Sequence, residues 1–342
     1  MVTTSSRAAA TAALNRRSSD SSTPELSESS ESASTGGYGM GFMQNASSIY
    51  ELELFASLGE GPMSFGPVCR GKTIQEELRH CNSAQVEKII QLKLACETAG
   101  LDQKFTDEQI YRVATYKGFS VGKSVRLLKN MDPRFINTTC RQLKDQLETQ
   151  TLFPLPSLCG VNDIDDFFYM RPSRHCPAST PTSTVIANLV YVMDCLYERR
   201  RNYQHKIGFI ANMNDWTMAH FSVDYCWQFM QVLQGHTAPG NVDLFLIVNP
   251  PAWFDTVWKI MKPMLVPSFR KKVHMISEDK LISFLKPGFE ASLPNEFACG
   301  TASASTLIQD FLSFRKYVEE SALDRAGAAL DHTTPAWPVH RP

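Results

Sequence analysis

Two short segments contain residue types that could bind a phosphate, and each lacks a part that the chemistry needs. Gly122-Lys123-Ser124 ends like a phosphate-binding loop, but Lys117 stands where the first glycine should be, and no apolar strand precedes it. His175-Cys176 could begin a thiolate loop, but Thr182 occupies the position of the arginine that would pair with the anion. No catalytic residue is therefore assigned, and we expect no enzymatic activity.

The segments that could bind a metal or an organic cofactor are also incomplete. Asp163, Asp165 and Asp166 lack the ordered spacing and the closing glutamate of a calcium loop. The segment GGYGMG at residues 36–41 follows no strand, so it does not indicate a dinucleotide site. Nine cysteines without a CxxC pair indicate free thiols in a reducing compartment. The sequence therefore predicts no metal and no cofactor.

Charge and hydropathy narrow the choice of partners and compartment. The chain has 34 Lys and Arg against 35 Asp and Glu, so nothing attracts it to nucleic acid over a long range. No run approaches the ~18 apolar residues of a membrane-spanning helix, and no signal-peptide core follows Met1. Arg7, Arg16 and Arg17 resemble a transit peptide, but acids follow from Asp20. We expect a cytoplasmic protein, with organelle targeting as the weaker alternative.

The residue pattern divides the chain into four regions. Residues 1–47 are rich in Ser, Thr, Ala and Gly and cannot bury enough apolar surface to order, which predicts a disordered tail. Residues 48–150 are predicted to be a helical region with its helices at about 85–130. Residues 151–320 are predicted to be the main domain, and residues 321–342 a flexible tail.

The helical region carries clear start and stop signals. Gln85 to Thr98 has helical periodicity. Thr106 and Gln109 form a capping box for a second helix, and Gly118 ends it before a third helix begins. Two short helices joined at Gly118 predict a helical hairpin.

In the main domain, apolar strands alternate with helical patterns, which predicts a mainly parallel mixed sheet covered by helices. The predicted strands are Phe167–Met170, Ile207–Ala211, Val242–Val248 and Val273–Ile276. The predicted helices include Thr184–Arg200, Ser222–Leu233 and Thr306–Glu319. Leu152–Pro156 and Pro172–Pro181 are predicted to be loops because prolines punctuate them.

Large apolar side chains are in surplus around the last strands and the segment that follows Asn249. The residues that could face one another there are Phe168, Met170, Phe209, Phe245, Ile247, Phe254, Trp258 and Met261. Pattern alone does not distinguish a well-packed core from a ligand pocket at these positions.

Residues 248–276 resemble the hallmark segment of CRAL-TRIO domains, the family of phosphatidylinositol-transfer, retinaldehyde-binding and tocopherol-binding proteins. The matching residues are Asn249, Pro251, Phe254, Trp258, Lys262-Pro263, Leu265 and Lys272-Val273. Leu293-Pro294 and Gly300 match the residues that close the family pattern, and Phe105–Leu128 resembles its N-terminal helical hairpin. The resemblance covers roughly Gln85 to Lys316.

The resemblance implies an α/β fold with an apolar lipid pocket between the sheet and a movable gate helix, Trp253–Lys262. The expected gate residues are Trp253, Phe254, Val257, Trp258, Met261 and Pro263, with prolines as hinges. This segment is apolar on nearly all sides, so one face is expected to line the pocket and the other to enter a bilayer. Exposing a lipid with roughly 30 methylenes to water costs about 24 kcal/mol, which only a large dry cavity offsets.

The resemblance also implies a basic contact for a headgroup. Lys272 is the expected contact. Together with Arg270 and Lys271 it forms either a patch that docks on a membrane or an ordinary solvated charge run, and the sequence leaves both open. In phosphatidylinositol binders a glutamate works with this lysine, but Gly240 occupies its position here. A non-phosphoinositide or single-chain ligand therefore remains open.

Two functions from different classes follow. We predict non-enzymatic binding and intermembrane transfer or presentation of a lipid or other hydrophobic ligand, by a monomer in transient peripheral contact with membranes. The alternative is a protein-interaction or scaffold module that keeps the fold without a functional lipid pocket. A continuous apolar cavity of roughly several hundred cubic ångströms favours the first, and small isolated voids favour the second.

Overall fold

A five-stranded sheet forms the centre of the computed structural model, which describes residues 78–156, 164–200 and 206–329. Its strands are β1 (Leu152–Pro154), β2 (Ile164–Met170), β3 (Lys206–Asn212), β4 (Val242–Val248) and β5 (Val273–Ile276). They lie in the order β1-β2-β3-β4-β5, with β1 antiparallel to β2 and every other neighbouring pair parallel. The predicted mainly parallel mixed sheet is confirmed.

Helices surround this sheet and precede it in the chain. They are α1 (Ser83–Thr98), α2 (Asp107–Tyr116), α3 (Val121–Asn130), α4 (Pro133–Ile136), α5 (Cys140–Glu148), α6 (Thr182–Arg200), α7 (Val223–Leu233), α8 (Phe254–Met261), α9 (Pro267–Arg270), α10 (Glu278–Leu281) and α11 (Ala304–Ala329). Short 3-10 turns lie at Pro172–Arg174, Met218–His220, Lys262–Met264, Ile282–Phe284 and Phe289–Ala291. The central strands β3 and β4 are buried along almost their whole length, as strands covered on both faces must be.

The first edge of the sheet differs from the prediction. Leu152–Pro156 was predicted to be a loop, but Leu152–Pro154 pairs antiparallel with Phe168–Met170. Pro154 is compatible with a strand because β1 is an edge strand, where one side needs no backbone donor. The loop prediction was therefore wrong, because the prolines are compatible with an edge strand and the local sequence does not show which strand lies at the edge.

The last helix is also longer than its periodicity indicated. It extends from Ala304 to Ala329, beyond the predicted Thr306–Glu319 and past the predicted domain end at residue 320. Leu307, Phe311, Phe314 and Val318 of this helix are buried. The predicted tail at residues 1–47 and the last part of the predicted tail at 321–342 lie outside the described residues.

The N-terminal helices fold as the capping signals predict. Thr106 and Gln109 form the reciprocal capping box at the start of α2. Gly118 has a φ of 59°, a left-handed conformation that glycine adopts without a steric penalty, and it turns the chain from α2 into α3. Apolar residues of α1, α2 and α3 share a small core of their own, so the predicted helical hairpin is present.

Polar contacts attach this hairpin to the main domain. Arg112 of α2 forms an ion pair with Asp194 of α6, with a nitrogen-oxygen distance of 2.9 Å. The Tyr116 hydroxyl donates a hydrogen bond of 2.9 Å to the Gly240 carbonyl. The hairpin is therefore anchored to the loop that leads into β4.

Candidate ligand-binding site

A cavity of about 60 Å³ lies over the carboxyl-terminal halves of the strands, beneath α7 and α8. Its lining residues are Met170, Pro172, His175, Ala211, Met213, Trp216, His220, Tyr225, Cys226, Phe229, Met230, Phe245, Ile247, Phe254, Trp258, Met261, Leu265, Phe269 and Val273. Among the described residues, no Asp, Glu, Lys or Arg lines it. Ligands of open α/β sheets bind at this end of the strands, so the cavity is the candidate site.

One row of side chains across the sheet forms the cavity floor. Met170, Ala211 and Ile247 occupy paired positions on β2, β3 and β4, and all three line the cavity. Because side chains alternate along a strand, residues two positions earlier lie on the same face. The small Ala211 in the middle of this row is what leaves space above the sheet.

The preceding row departs from the predicted pocket. Of its members, Phe245 lines the cavity, whereas Phe168 and Phe209 do not. The rings of Phe168 and Phe209 stack with centroids 4.8 Å apart, and Phe209 stacks on Phe245 at 5.5 Å. Phe229, which lines the cavity, packs edge-on against Phe209 at 6.2 Å. Phe168 and Phe209 therefore pack beside the residues that line the floor of the cavity and do not line it themselves.

Helix α8 forms the wall opposite the sheet. Phe254, Val257 and Met261 are buried, and Trp258 is partly buried against the same core. Phe254, Trp258 and Met261 line the cavity together with the predicted residues Met170, Phe245 and Ile247. The structure thus brings six of the eight predicted pocket residues to one cavity, although their contact with a ligand stays a prediction.

The outer face of α8 contradicts the expectation of a segment apolar on nearly all sides. Asp255, Lys259 and Lys262 are exposed, and their spacing of four and three residues places them on one helical face. Ile260, with 44% of its surface exposed, is the large apolar residue on this side. The polar residues of the segment were few but shared one face, which makes α8 amphipathic.

The other residues that were expected to form a gate lie at the two ends of α8. Trp253, which precedes the helix, stacks on Trp216 with ring centroids 4.7 Å apart. Pro263 is exposed in the 3-10 turn Lys262–Met264 that follows it. Within the described part of the chain, no side chain of α8 forms a hydrogen bond or an ion pair, so apolar packing alone holds α8 on the domain.

A glutamine fixes the segment just after α8. Gln234, at the end of α7, donates through Nε2 to the Met264 carbonyl at 3.1 Å. Its Oε1 accepts from the Val266 backbone N–H at 2.7 Å. These two hydrogen bonds hold the backbone on either side of Leu265, just after α8. We call this contact the Gln234 clasp.

Lys272 does not lie at the cavity, contrary to its predicted role as the headgroup contact. Its ammonium nitrogen lies 3.0 Å from Asp243 Oδ1 and donates to the Val242 carbonyl at 2.8 Å. The next residue, Val273, lines the cavity, but Lys272 does not. The intramolecular ion pair satisfies the charge that was expected to bind a phosphate.

Gly240, which stands where phosphatidylinositol binders have the headgroup glutamate, also makes a contact within the chain. Gly240 accepts the hydrogen bond from the Tyr116 hydroxyl, which brings the N-terminal hairpin against this loop. Burial raises the pKa of Tyr116, so the phenol stays neutral. The region where the resemblance placed headgroup chemistry is therefore a structural junction.

Three polar residues that line the cavity were not among the predicted pocket residues. His175, Trp216 and Tyr225 are 3%, 7% and 6% exposed, and the two ring nitrogens, the indole nitrogen and the hydroxyl have no hydrogen-bond partner among the described residues. Tyr225 could have been found from the sequence, because Tyr225, Phe229 and Val232 recur at helical spacing in the predicted helix Ser222–Leu233. His175 and Trp216 lie in loops, where periodicity gives no information.

Burial determines the protonation of this group. The pKa of His175 is lowered by burial, with a smaller contribution from His220, so its imidazole is neutral near pH 7. Burial also raises the pKa of the Tyr225 phenol, which stays protonated. No group of His, Cys, Asp and Glu among the described residues is arranged to hold a metal ion, and no helix there is long and apolar enough to cross a membrane.

Comparison with known proteins gives one family. The model of the CRAL/TRIO domain matches residues 165–297, which include the sheet from β2 to β5 and all of α8. No curated protein matches the chain. The crystal structure of Sfh5 is similar over 71% of this chain and 98% of that chain, with 13% sequence identity and a TM-score of 0.44. Residues 165–297 therefore form a CRAL/TRIO domain, the domain family that residues 248–276 resemble.

Proposed function

We propose that the domain binds one hydrophobic ligand between the sheet and α8, and that it exchanges this ligand with a membrane without catalysing a reaction. The observation that carries the proposal is the attachment of α8. This helix covers an apolar cavity and is held there, among the described residues, by apolar packing alone. Such a helix can move outward without breaking a hydrogen bond of its own side chains, and only Gln234 holds the backbone just after it among the described residues.

Ligand binding requires this movement. The cavity measures about 60 Å³, whereas sites for drug-sized ligands measure about 300–1,000 Å³. Four methionines, Met170, Met213, Met230 and Met261, line it, and their unbranched side chains repack more readily than those of leucine or isoleucine. The ligand therefore enters by displacing α8 and is then surrounded by side chains that adapt to its shape.

The outer face of α8 supports transient contact with a membrane surface. Ile260 and, beyond the helix, Val266 expose apolar surface, while Lys259 and Lys262 are exposed beside them. A lysine near anionic lipid contributes about 1 kcal/mol to membrane association. This combination favours a helix that rests at the headgroup level while the cavity opens.

The small cavity volume favours a second candidate, an interaction module that keeps α8 closed. Such a module would use the apolar surface around the start of α7 instead, where Met218, Val223 and Trp227 are 59%, 49% and 48% exposed. Patches of exposed apolar residues often mark protein interaction sites. In this case the residues beneath α8 serve only as a core.

One experiment separates the two candidates. The full chain is purified, extracted with organic solvent for mass spectrometry of bound lipids, and tested for transfer of fluorescent lipids between donor and acceptor vesicles. Heat-denatured protein is the control for nonspecific lipid adsorption. We expect one lipid class bound to the folded chain and a transfer rate above the control. A folded chain that extracts without lipid and transfers none supports the interaction module and overturns the lipid proposal.

A further inference from the structure

We propose that His175 makes ligand release sensitive to pH: when its buried imidazole takes up a proton from the solvent, the loop that carries it leaves the cavity wall and the ligand is released. The inference rests on the proposed function and adds a form of regulation to the same site. Its starting point is a single buried histidine in a loop that is otherwise in contact with solvent.

His175 attaches its loop to the core. Its side chain is 3% exposed and lines the cavity, whereas Arg174 and Cys176 on either side of it are exposed. No other residue from 171 to 180 is buried. Moving this one side chain into water therefore detaches the loop without uncovering a second buried residue of the same loop.

The environment of the imidazole suits its neutral form. Neither ring nitrogen has a hydrogen-bond partner among the described residues, and both are buried. A charged group in such a position has lost its hydration without gaining a compensating contact, which is strongly unfavourable. Burial lowers the pKa of His175, and His220 contributes to the same shift.

The titratable groups next to His175 offer no counter-charge. Tyr225 of α7 is in ring contact with it, with centroids 4.8 Å apart, and burial keeps the phenol protonated. Burial also raises the pKa of the Cys226 thiol, which lines the same cavity, to about 12. A charge on His220 would repel a charge on His175.

The charged side chains near the loop are engaged elsewhere. Arg174 forms an ion pair with Glu296, with a nitrogen-oxygen distance of 3.8 Å. Asp224, at the start of α7, accepts a hydrogen bond of 3.1 Å from Gln228. No Asp, Glu, Lys or Arg among the described residues lines the cavity. A protonated His175 therefore gains more from water than from the cavity wall.

Departure of His175 uncovers part of that wall. The imidazole packs on Tyr225, which lines the cavity and packs in turn on Phe229 with ring centroids 5.5 Å apart. Without the imidazole, water reaches the wall beside Tyr225 and weakens the apolar contacts that hold a ligand there. This route of release does not require α8 to move.

The direction of the pH effect follows from the burial of His175. Because its folded-state pKa is lowered, the closed wall keeps its full stability above the ordinary histidine pKa of about 6.5 and loses stability as the pH falls below that value. The detached loop binds its proton with the ordinary pKa, so the detached form gains up to about tenfold per pH unit below 6.5 until the folded pKa is reached.

An anionic membrane alone does not supply enough protons. A surface potential of roughly 30 mV, negative inside the headgroup layer, lowers the local pH by only about half a unit. At neutral bulk pH this leaves the local pH close to or above the ordinary histidine pKa. The trigger is therefore acidification of the medium itself.

The test follows the release of a neutral apolar probe, diphenylhexatriene, from the full chain. Trp216 and Trp258 line the cavity, so energy transfer from tryptophan to the probe reports the bound form. The loaded protein is mixed with excess phosphatidylcholine vesicles at about pH 7.5 and about pH 5.5, on either side of the ordinary histidine pKa. His175→Phe keeps an aromatic ring that cannot take up a proton. His236→Gln is the matched control, because His236 is exposed and does not line the cavity.

We expect release from the unchanged chain and from His236→Gln to be about five- to tenfold faster at the lower pH, and release from His175→Phe to change by less than about twofold. The circular dichroism spectrum should be the same at both pH values. Equal acceleration in His175→Phe, no acceleration in the unchanged chain, or global unfolding at the lower pH overturns the inference. A folded chain that never takes up the probe contradicts the proposed function instead.

Hydrogen exchange of the unchanged chain without a probe tests the same inference if His175→Phe does not fold. After correction for the intrinsic effect of pH on exchange, the amides of residues 171–180 should lose protection at the lower pH, while those of β3 and β4 keep it. Equal protection of residues 171–180 at both pH values overturns the inference and leaves hydrophobic binding untouched.

Discussion

The ammonium group of Lys272 lies 3.0 Å from the Asp243 carboxylate, and Lys272 is not among the residues that line the cavity. Lys206 approaches the same carboxylate at 3.4 Å, so one acid serves two lysines at the amino-terminal ends of β3, β4 and β5. Burial alone would raise the pKa of Asp243, but Lys272 and Lys206 outweigh it and hold the pKa below its ordinary value. These ion pairs join residues at the beginning of β3, the beginning of β4 and the residue just before β5.

The first prediction concerns the pH dependence of stability. Because the folded-state pKa of Asp243 is lowered, its contribution is complete above the unfolded pKa of about 4 and is lost as pH falls through the folded pKa. Asp243→Asn should lower the free energy of unfolding by about 0.5–1 kcal/mol at neutral pH, and the difference should shrink in acid. Urea unfolding of both proteins across this pH range measures the effect. Asp255→Asn, on the exposed face of α8, is the control; an equal loss at every pH would contradict the ion-pair explanation.

The second prediction separates Lys272 from headgroup binding. Since Asp243 and the Val242 carbonyl already hold its ammonium group, Lys272→Ala should change the affinity for vesicles containing phosphorylated lipid by less than about twofold. Lys262→Ala, on the exposed side of the segment after α8, should reduce that affinity more. Vesicle co-sedimentation measures both. A selective loss in Lys272→Ala would restore Lys272 as a headgroup contact.

The third prediction concerns the two hydrogen bonds by which Gln234 holds the segment just after α8. Gln234→Ala removes the two bonds to the backbone beside Leu265, each of which contributes about 1 kcal/mol. The segment after α8 should then open more often, and vesicle-to-vesicle transfer should accelerate by up to roughly thirtyfold. Gln228→Ala is the matched control, because Gln228 lies on the exposed side of α7 and bonds only to Asp224 among the described residues. Equal transfer rates in both variants would show that the clasp does not limit opening.

The fourth prediction explains the glycine that closes the family pattern. A Cβ at Gly300 would lie 2.2 Å from the Pro294 carbonyl oxygen and 2.6 Å from that of Leu293. Both atoms belong to the backbone, which cannot rotate away as a side chain can. Gly300→Ala should therefore destabilise the domain by about 2–4 kcal/mol in chemical denaturation. Ala298→Ser, at an exposed position in the same loop, should cost less than about 0.5 kcal/mol; equal effects would contradict the steric argument.

More of the sheet than of the candidate site could be predicted from the sequence. Val242–Val248 and Val273–Ile276 were predicted with their observed bounds because apolar runs between turn signals define strands. Leu152–Pro154 was missed because an edge position is a property of the whole sheet. Trp216 meets Trp253 only through the fold, and no local pattern indicates such a contact.

The volume of the cavity could not be predicted from the sequence either. Six predicted residues do line it, but the space between them depends on which rotamers Met170, Met261 and their neighbours adopt. The partner of a charged side chain is equally hard to predict from the sequence, as Lys272 shows. Its residue type and position matched a headgroup contact, and only the pairing of β4 with β5 places it beside Asp243.

The last prediction tests whether the cavity itself holds the ligand. Ala211 is 2% exposed and lies in the middle of the floor, so Ala211→Leu would fill much of the 60 Å³ above it. The added side chain should cost at most about 1–3 kcal/mol of stability, because it enters existing space. Ile210→Val is the matched control, since Ile210 is buried on the opposite face of the same strand. If a lipid occupies the cavity, Ala211→Leu should reduce vesicle transfer at least about tenfold while the protein remains folded by circular dichroism, and Ile210→Val should transfer normally. Normal transfer by folded Ala211→Leu would show that the ligand lies elsewhere, because a leucine on the floor and a lipid chain cannot occupy the same space.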